Sequence, residues 1–104
     1  MSEPRPDMEE EVLSETEDDV DEPSMYSVFL HNDDYTTMEF VVEVLITLFK
    51  KSIEEATAIM LKVHQEGSGL CGVYTFEVAE TKVDSVEHLA REEGFPLMCT
   101  MERN

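Results

Sequence analysis

MYSVFLHNDDYTTMEFVVEVLITLF, residues 25–49, carries two periodicities on either side of a polar knot. From Met25 to Asn32 the pattern alternates, with Tyr26, Val28 and Leu30 on one side and Ser27, Phe29 and His31 on the other. Alternation of that kind reads as a strand. From Met38 the apolar residues Met38, Val41, Val42, Leu45, Leu48 and Phe49 recur at helical spacing. Between them, Thr36 followed three residues later by Glu39 has the form of a capping box, which opens a helix by satisfying free backbone N–H groups. The stretch is therefore a strand that turns into a helix. The imidazole, carboxamide and two carboxylates of His31, Asn32, Asp33 and Asp34 stand at the turn, where packing gives them no reason to be.

Reading outward, Ser52 and Glu55 form a second box opening a helix with the stripe Ile53, Ala56, Met60 and Val63. Gly67 and Gly69 end it, because glycine accepts the left-handed backbone of a helix C-cap. LCGVYTFE (70–77) reads as a strand. Residues 78–93 read as a third helix through Val78, Ala79, Val83, Val86 and Ala90, closed by Gly94. PLMCTM (96–101) reads as a last strand entered through Pro96, where no ladder N–H is required. The order β-α-α-β-α-β predicts an α+β fold: a two-layer sandwich in which three helices cover one face of a three-stranded antiparallel sheet.

Composition divides the chain. Residues 1–23 hold 11 acidic residues, one basic residue, three of the four prolines and no aromatic. Such a segment buries too little apolar surface to offset its ordering entropy, and a disordered acidic arm is expected there. Residues 24–104 keep 14 acidic against six basic residues, a net of −8 out of the chain's −18. Repulsion excludes nucleic acid and anionic membranes as partners. No apolar run approaches the roughly 20 residues needed to cross a bilayer, and MSEPRPDMEEE lacks the apolar core of a secretory signal. Cys71 and Cys99 sit apart in apolar runs and read as reduced, buried thiols. A soluble, cytoplasmic domain is the expectation.

Catalytic patterns are missing. Neither cysteine has a neighbouring histidine or activating cation, and no nucleophile elbow or phosphate loop occurs. Asp33 and Asp34, being adjacent, point to opposite sides of an extended segment and make a poor acid–base pair. His31, Asp33, Asp34 and His64 match no zinc spacing, and a calcium loop's glycine and terminal glutamate are absent. No metal or other cofactor is expected. What remains is a site for something positively charged and partly apolar. Asn32, Asp33 and Asp34 supply acceptors, and Met60 and His64 share a helix face, being four residues apart. If the first two helices pack as a hairpin, Met38, Val41, Met60 and Val63 line a recess; equally, the stripes alone allow these four to be ordinary core.

SMYSVFLHNDDYTTMEFV (24–41), AIMLKVHQEGSGLCGVYTFEVAETK (58–82) and PLMCTMER (96–103), in that order, closely resemble the ClpS family, adaptors of the ATP-dependent Clp protease. The resemblance implies a non-enzymatic adaptor domain over residues 24–104. Such an adaptor binds proteins that begin with Leu, Phe, Tyr or Trp and hands them, as a monomer, to the N-terminal domain of a ClpA-type unfoldase. It implies that Asn32, Asp34 and His64 surround the substrate's α-amino group and that Asp33 holds the backbone just beyond. Thr36, Met38, Val41, Met60, Val63 and Leu97 then wall the pocket for the first side chain, with Met38 as gatekeeper against β-branched residues. Glu77 and Lys82 fall at positions that dock on the unfoldase, and the arm at those of an extension engaged during delivery. Many family members have proline where this chain has Thr37. Threonine gives up the preset turn of proline, a loss the Thr36–Glu39 box is expected to offset.

Overall fold

The computed structural model describes residues 23–104, so the arm expected over 1–23 lies, apart from Pro23, outside the described residues. The element order is β1 (Met25–His31), α1 (Met38–Phe49), α2 (Ile53–Glu66), β2 (Ser68–Thr75), α3 (Phe76–Glu93) and β3 (Met98–Arg103). β1 is the central strand, antiparallel to both neighbours in the order β2-β1-β3. The expected α+β sandwich of three helices on a three-stranded sheet is what the chain forms. Val28 and Leu30, the inward residues of the alternation, are fully buried. Cys71 and Cys99 flank them from the outer strands, and Val44, Leu45, Ala56, Ala79 and Val86 close over them from the helices. Full burial of a side chain like Leu30 contributes about 2–3 kcal/mol.

Several boundaries move. β2 begins at Ser68, so Gly69 is a strand residue, and only Gly67, at φ 95°, caps α2. Gly69 has its own reason to lack a side chain: an added Cβ would stand 2.9 Å from Val63 Cγ2. α3 begins at Phe76, two residues before the expected start, and β3 runs two residues further than expected. The ends of the helical stripes, Met38, Ile53 and Val78, are exposed, whereas Phe40 and Val44, outside the α1 stripe as read, are buried. The capping box of α2 forms as expected, between Ser52 and Glu55.

The box expected at Thr36 and Glu39 does not form. Thr37 is the N-cap of α1, and its hydroxyl accepts the Phe40 N–H at 3.1 Å. Threonine in place of proline thus compensates for itself, since proline has no side-chain acceptor to offer that N–H. Thr36 is released for another task in the turn.

A register shift between Val28 and Phe29 makes Cys71 the extra residue of a β-bulge. The next residue, Gly72, lies under the Tyr74 ring, whose atoms would be 2.4–2.8 Å from an added Cβ. The ring so placed packs 6.4 Å from Phe49 at the end of α1.

Candidate functional site

β1 ends beside the last turn of α2 because of one backbone bond. The Asn32 N–H donates to the Gly67 carbonyl at 2.9 Å, tying the residue after the strand to the residue after the helix. His64, in the last turn of α2, is thereby brought to the same opening as Asn32.

The next four residues form a turn built on a single side chain. Asp33 Oδ1 accepts the Tyr35 N–H at 2.8 Å and the Thr36 N–H at 2.7 Å. Asp33 Oδ2 accepts the Thr36 hydroxyl at 2.7 Å. Burial pushes the Asp33 carboxyl up, but the three hydrogen bonds from Thr36 and Tyr35 outweigh it and hold the group below the usual carboxylate range. Three acceptor positions of about four on a carboxylate are thus used internally. Asp34, on the same turn, is exposed.

Between this turn, α1 and α2 lies a cavity of about 260 Å³ lined by Asn32, Asp33, Asp34, Thr36, Met38, Val41, Met60, Val63 and His64. Nine of the ten residues expected to contact a substrate are brought together. Val41 and Val63 are buried and form its floor, Met60 is half-buried, and Met38 stands at the rim with 43% of its surface exposed. Asn32, Asp34 and His64 are exposed around the mouth. No lysine or arginine lines the cavity. The arrangement is an apolar hole with an acceptor-rich entrance, large enough for an aromatic ring: cavities on the order of 150 Å³ take up benzene.

Leu97 does not line this cavity. It is 4% exposed and borders a separate hollow between α3 and β3, with Phe95 and Met98. Of the two residues left without a role by sequence reasoning, His31 shares a 2.7 Å hydrogen bond with Thr100 on β3. Tyr35 stands on the turn with 77% of its surface exposed. Among the described residues no three His, Cys, Asp or Glu side chains come together to hold a metal, and no helix is long and apolar enough to cross a membrane. Burial pushes both thiols up to about 12, with a further contribution from Cys71 at Cys99.

Glu77 and Lys82 lie elsewhere, on the first half of α3. Glu77 is exposed, but Lys82 is half-buried, and its Nζ donates to the Leu48 carbonyl of α1. Sequence reasoning missed this contact. Its only outward sign is that the last turn of α1, ITLF, contains no basic residue of its own.

This is the geometry of a small binding module whose ligand site sits where a strand, a turn and two helices meet. The chain belongs to the ClpS family of ATP-dependent Clp protease adaptor proteins, whose family model matches residues 21–100. The ATP-dependent Clp protease adapter protein ClpS of Desulforapulum autotrophicum is 58% identical over 103 residues, 99% of each chain. That of Nitratidesulfovibrio vulgaris (strain DP4) is 65% identical over 86 residues, 83% of each chain. Among solved structures, Agrobacterium tumefaciens ClpS2 bound to L-phenylalaninamide superposes with a TM-score of 0.77 at 41% identity. The match covers 80% of this chain and all of that one. The protein is accordingly an adaptor of the Clp protease and not an enzyme.

Proposed function

We propose that this adaptor captures proteins through a free amino terminus followed by a bulky apolar first side chain (Leu, Phe, Tyr or Trp) and delivers them to a ClpA-type unfoldase. The observation that carries the reading is the 260 Å³ cavity, apolar at its floor and lined with acceptors but no cation at its mouth. L-phenylalaninamide, the molecule bound to the related Agrobacterium protein, has the same two ends: an α-ammonium and an aromatic side chain.

An ammonium offers three hydrogen bonds, and a carboxamide, a carboxylate and a neutral imidazole are suitable acceptors. Asn32, Asp34 and His64 take that role. Asp33, after bracing its turn, has one acceptor position left for a backbone N–H of the peptide. Thr36, Met38, Val41, Met60 and Val63 receive the side chain, and Leu97 supports them from the core without touching it. Burial of Leu or Phe contributes about 2–3 kcal/mol, and hydrogen bonds to a charged amine about 1.5–3 kcal/mol each. Less the cost of association, these sum to affinity on the order of micromolar or tighter. An internal Leu lacks the ammonium, so neither half suffices alone.

Delivery assigns the surface around Glu77 and Lys82 to docking on the unfoldase's N-terminal domain and the acidic extension, residues 1–23, to engagement during hand-over. The adaptor works as a cytoplasmic monomer in this reading. Nα-acetylation of a Leu-initiated peptide removes the ammonium and keeps the side chain, so affinity should fall by roughly 100-fold or more, as two lost hydrogen bonds to a charged group require. Equal affinity of free and acetylated peptides, measured by fluorescence anisotropy, would exclude the proposal.

A further inference from the structure

The end of the sandwich that holds the substrate cavity has a second opening. β1 and β3 are antiparallel with His31 opposite Met98. The residues that leave β1 for the cavity, Asn32 to Asp34, therefore stand beside those that enter β3. α3 returns to this same end, because it starts where β2 stops and hands the chain to β3. Here lies the hollow that takes Leu97, about 340 Å³ in volume, with Glu87 and Arg91 on the α3 side and Phe95, Pro96, Leu97 and Met98 on the other. Phe95 packs 4.9 Å from the Phe40 ring of α1. The wall between the hollow and the substrate cavity is thus the first turn of α1, which also carries Met38 and Val41.

The hollow is apolar inside and polar at one side. Leu97 is buried, Phe95 is half-buried, and Met98 leaves 56% of its surface exposed. Glu87 and Arg91 stand one helical turn apart, and no ion pair joins them among the described residues. Glu87 is half-buried and faces β3, where its charge helps to push the Cys99 thiol up. An acceptor, a set of donors and an apolar floor answer what an extended peptide presents: an N–H, a C=O and a side chain. A bound substrate is the chain best placed to supply them. Two strand spacings of about 4.8 Å put the hollow on the order of 10 Å from Asp33, which takes the N–H just beyond the first residue. Three extended residues cover that distance at about 3.3 Å each. The acidic arm, by contrast, enters the domain at Pro23, at the opposite end of β1.

We infer that this hollow is a second substrate subsite. It holds the backbone of the substrate's fourth to sixth residues between Glu87 and Arg91 and takes one apolar side chain against Phe95, Leu97 and Met98. Backbone contacts tolerate any sequence, as an adaptor for many substrates requires, and the apolar contact ranks them. An amino terminus that folds back onto its own domain before its sixth residue forgoes both. The inference rests on the amino-terminus reading given above and extends it past the residue that Asp33 holds.

The test uses the full chain, with L-phenylalaninamide and Phe-initiated hexapeptide amides as probes. The hexapeptides share their first two residues and carry serine elsewhere, with a single leucine moved through positions 3 to 6. Leucine at one of positions 4 to 6 should raise affinity about three- to tenfold over the all-serine peptide, as half-burial of its side chain less the ordering cost gives. That hexapeptide should shift the amide resonances of Arg91 and Met98, which L-phenylalaninamide leaves in place. Arg91→Gln combined with Met98→Ser alters two exposed side chains. The pair should remove the leucine gain while affinity for L-phenylalaninamide stays within twofold. A flat leucine scan, or a hexapeptide that moves neither resonance, would overturn the inference while L-phenylalaninamide binding upholds the amino-terminus reading. Arg91 and Met98 resonances that move on removal of residues 1–22, and not with the hexapeptide, would give the hollow to the arm and overturn it likewise. Failure of L-phenylalaninamide and every hexapeptide to bind would overturn both readings together.

Discussion

Removal of the Asp33 carboxylate separates a brace from a ligand contact. Three hydrogen bonds converge on it, from the Tyr35 N–H, the Thr36 N–H and the Thr36 hydroxyl, at 2.7–2.8 Å. Bonds of this kind contribute up to about 1.5–3 kcal/mol each when charge-assisted and buried, but this turn is partly exposed and water can replace them. A net loss of about 1–2 kcal/mol is expected for Asp33→Ala, or roughly 4–16 °C in Tm for a domain of this size. Thr36 and Asp34 leave their places when the turn opens, so affinity for a Phe-initiated peptide should fall by about tenfold or more as the competent fraction drops. Asp33→Asn keeps an acceptor for both N–H groups and loses only the charge and the acceptor for the Thr36 hydroxyl. It should cost less than half as much in both measurements. Because hydrogen bonds lower the folded pKa of Asp33, its contribution is fully present above the ordinary carboxylate pKa. It is lost as pH falls through the lowered value. Circular dichroism melts and anisotropy titrations of both variants decide the matter. If Ala and Asn weaken peptide binding equally while leaving Tm unchanged, Asp33 acts on the peptide and braces nothing.

Met38→Ala opens the exposed rim of the cavity and should admit Ile- and Val-initiated peptides; discrimination unchanged in an anisotropy panel would remove Met38 as the gate. Loss of the capping box in Ser52→Ala should lower stability by about 1 kcal/mol, read from urea denaturation, with peptide affinity unaltered because Ser52 is at the far end of α2 from His64. Both thiols, pushed up to about 12 by burial, should resist alkylation at neutral pH until the protein unfolds; labelling as fast as that of a free thiol would contradict their placement.

The order of elements was legible because their signals are local. The alternation ending at His31, the box at Ser52 and Glu55, and the glycines at 67 and 94 each act within a few residues of themselves. The turn at 33–36 was harder to read. Two threonines in succession each make a reasonable cap, and the spacing from Thr36 to Glu39 favoured the wrong one. Thr36 is already held by Asp33, a competition that a four-residue pattern cannot resolve. Of the nine residues that meet at the cavity, only Thr36 was added by resemblance to a family. The other eight were candidates from their chemistry and spacing, but for Met38, Val41, Met60 and Val63 that spacing was equally that of ordinary core, and the resemblance gave the site its ligand. Leu97, drawn to the same pocket by that resemblance, faces another hollow.

What the sequence determined alone was the register of its own elements: which residues alternate, where helices begin, and which faces are apolar. Tertiary structure decided the rest, because the deciding interactions join distant residues. The Asn32–Gly67 bond brings His64 to the mouth of the cavity. The Lys82–Leu48 bond spans 34 residues and turns a charge that reads as a surface contact into an internal tie between α1 and α3. Spacing along the chain carries no record of which carbonyl an ammonium will find once the helices have packed.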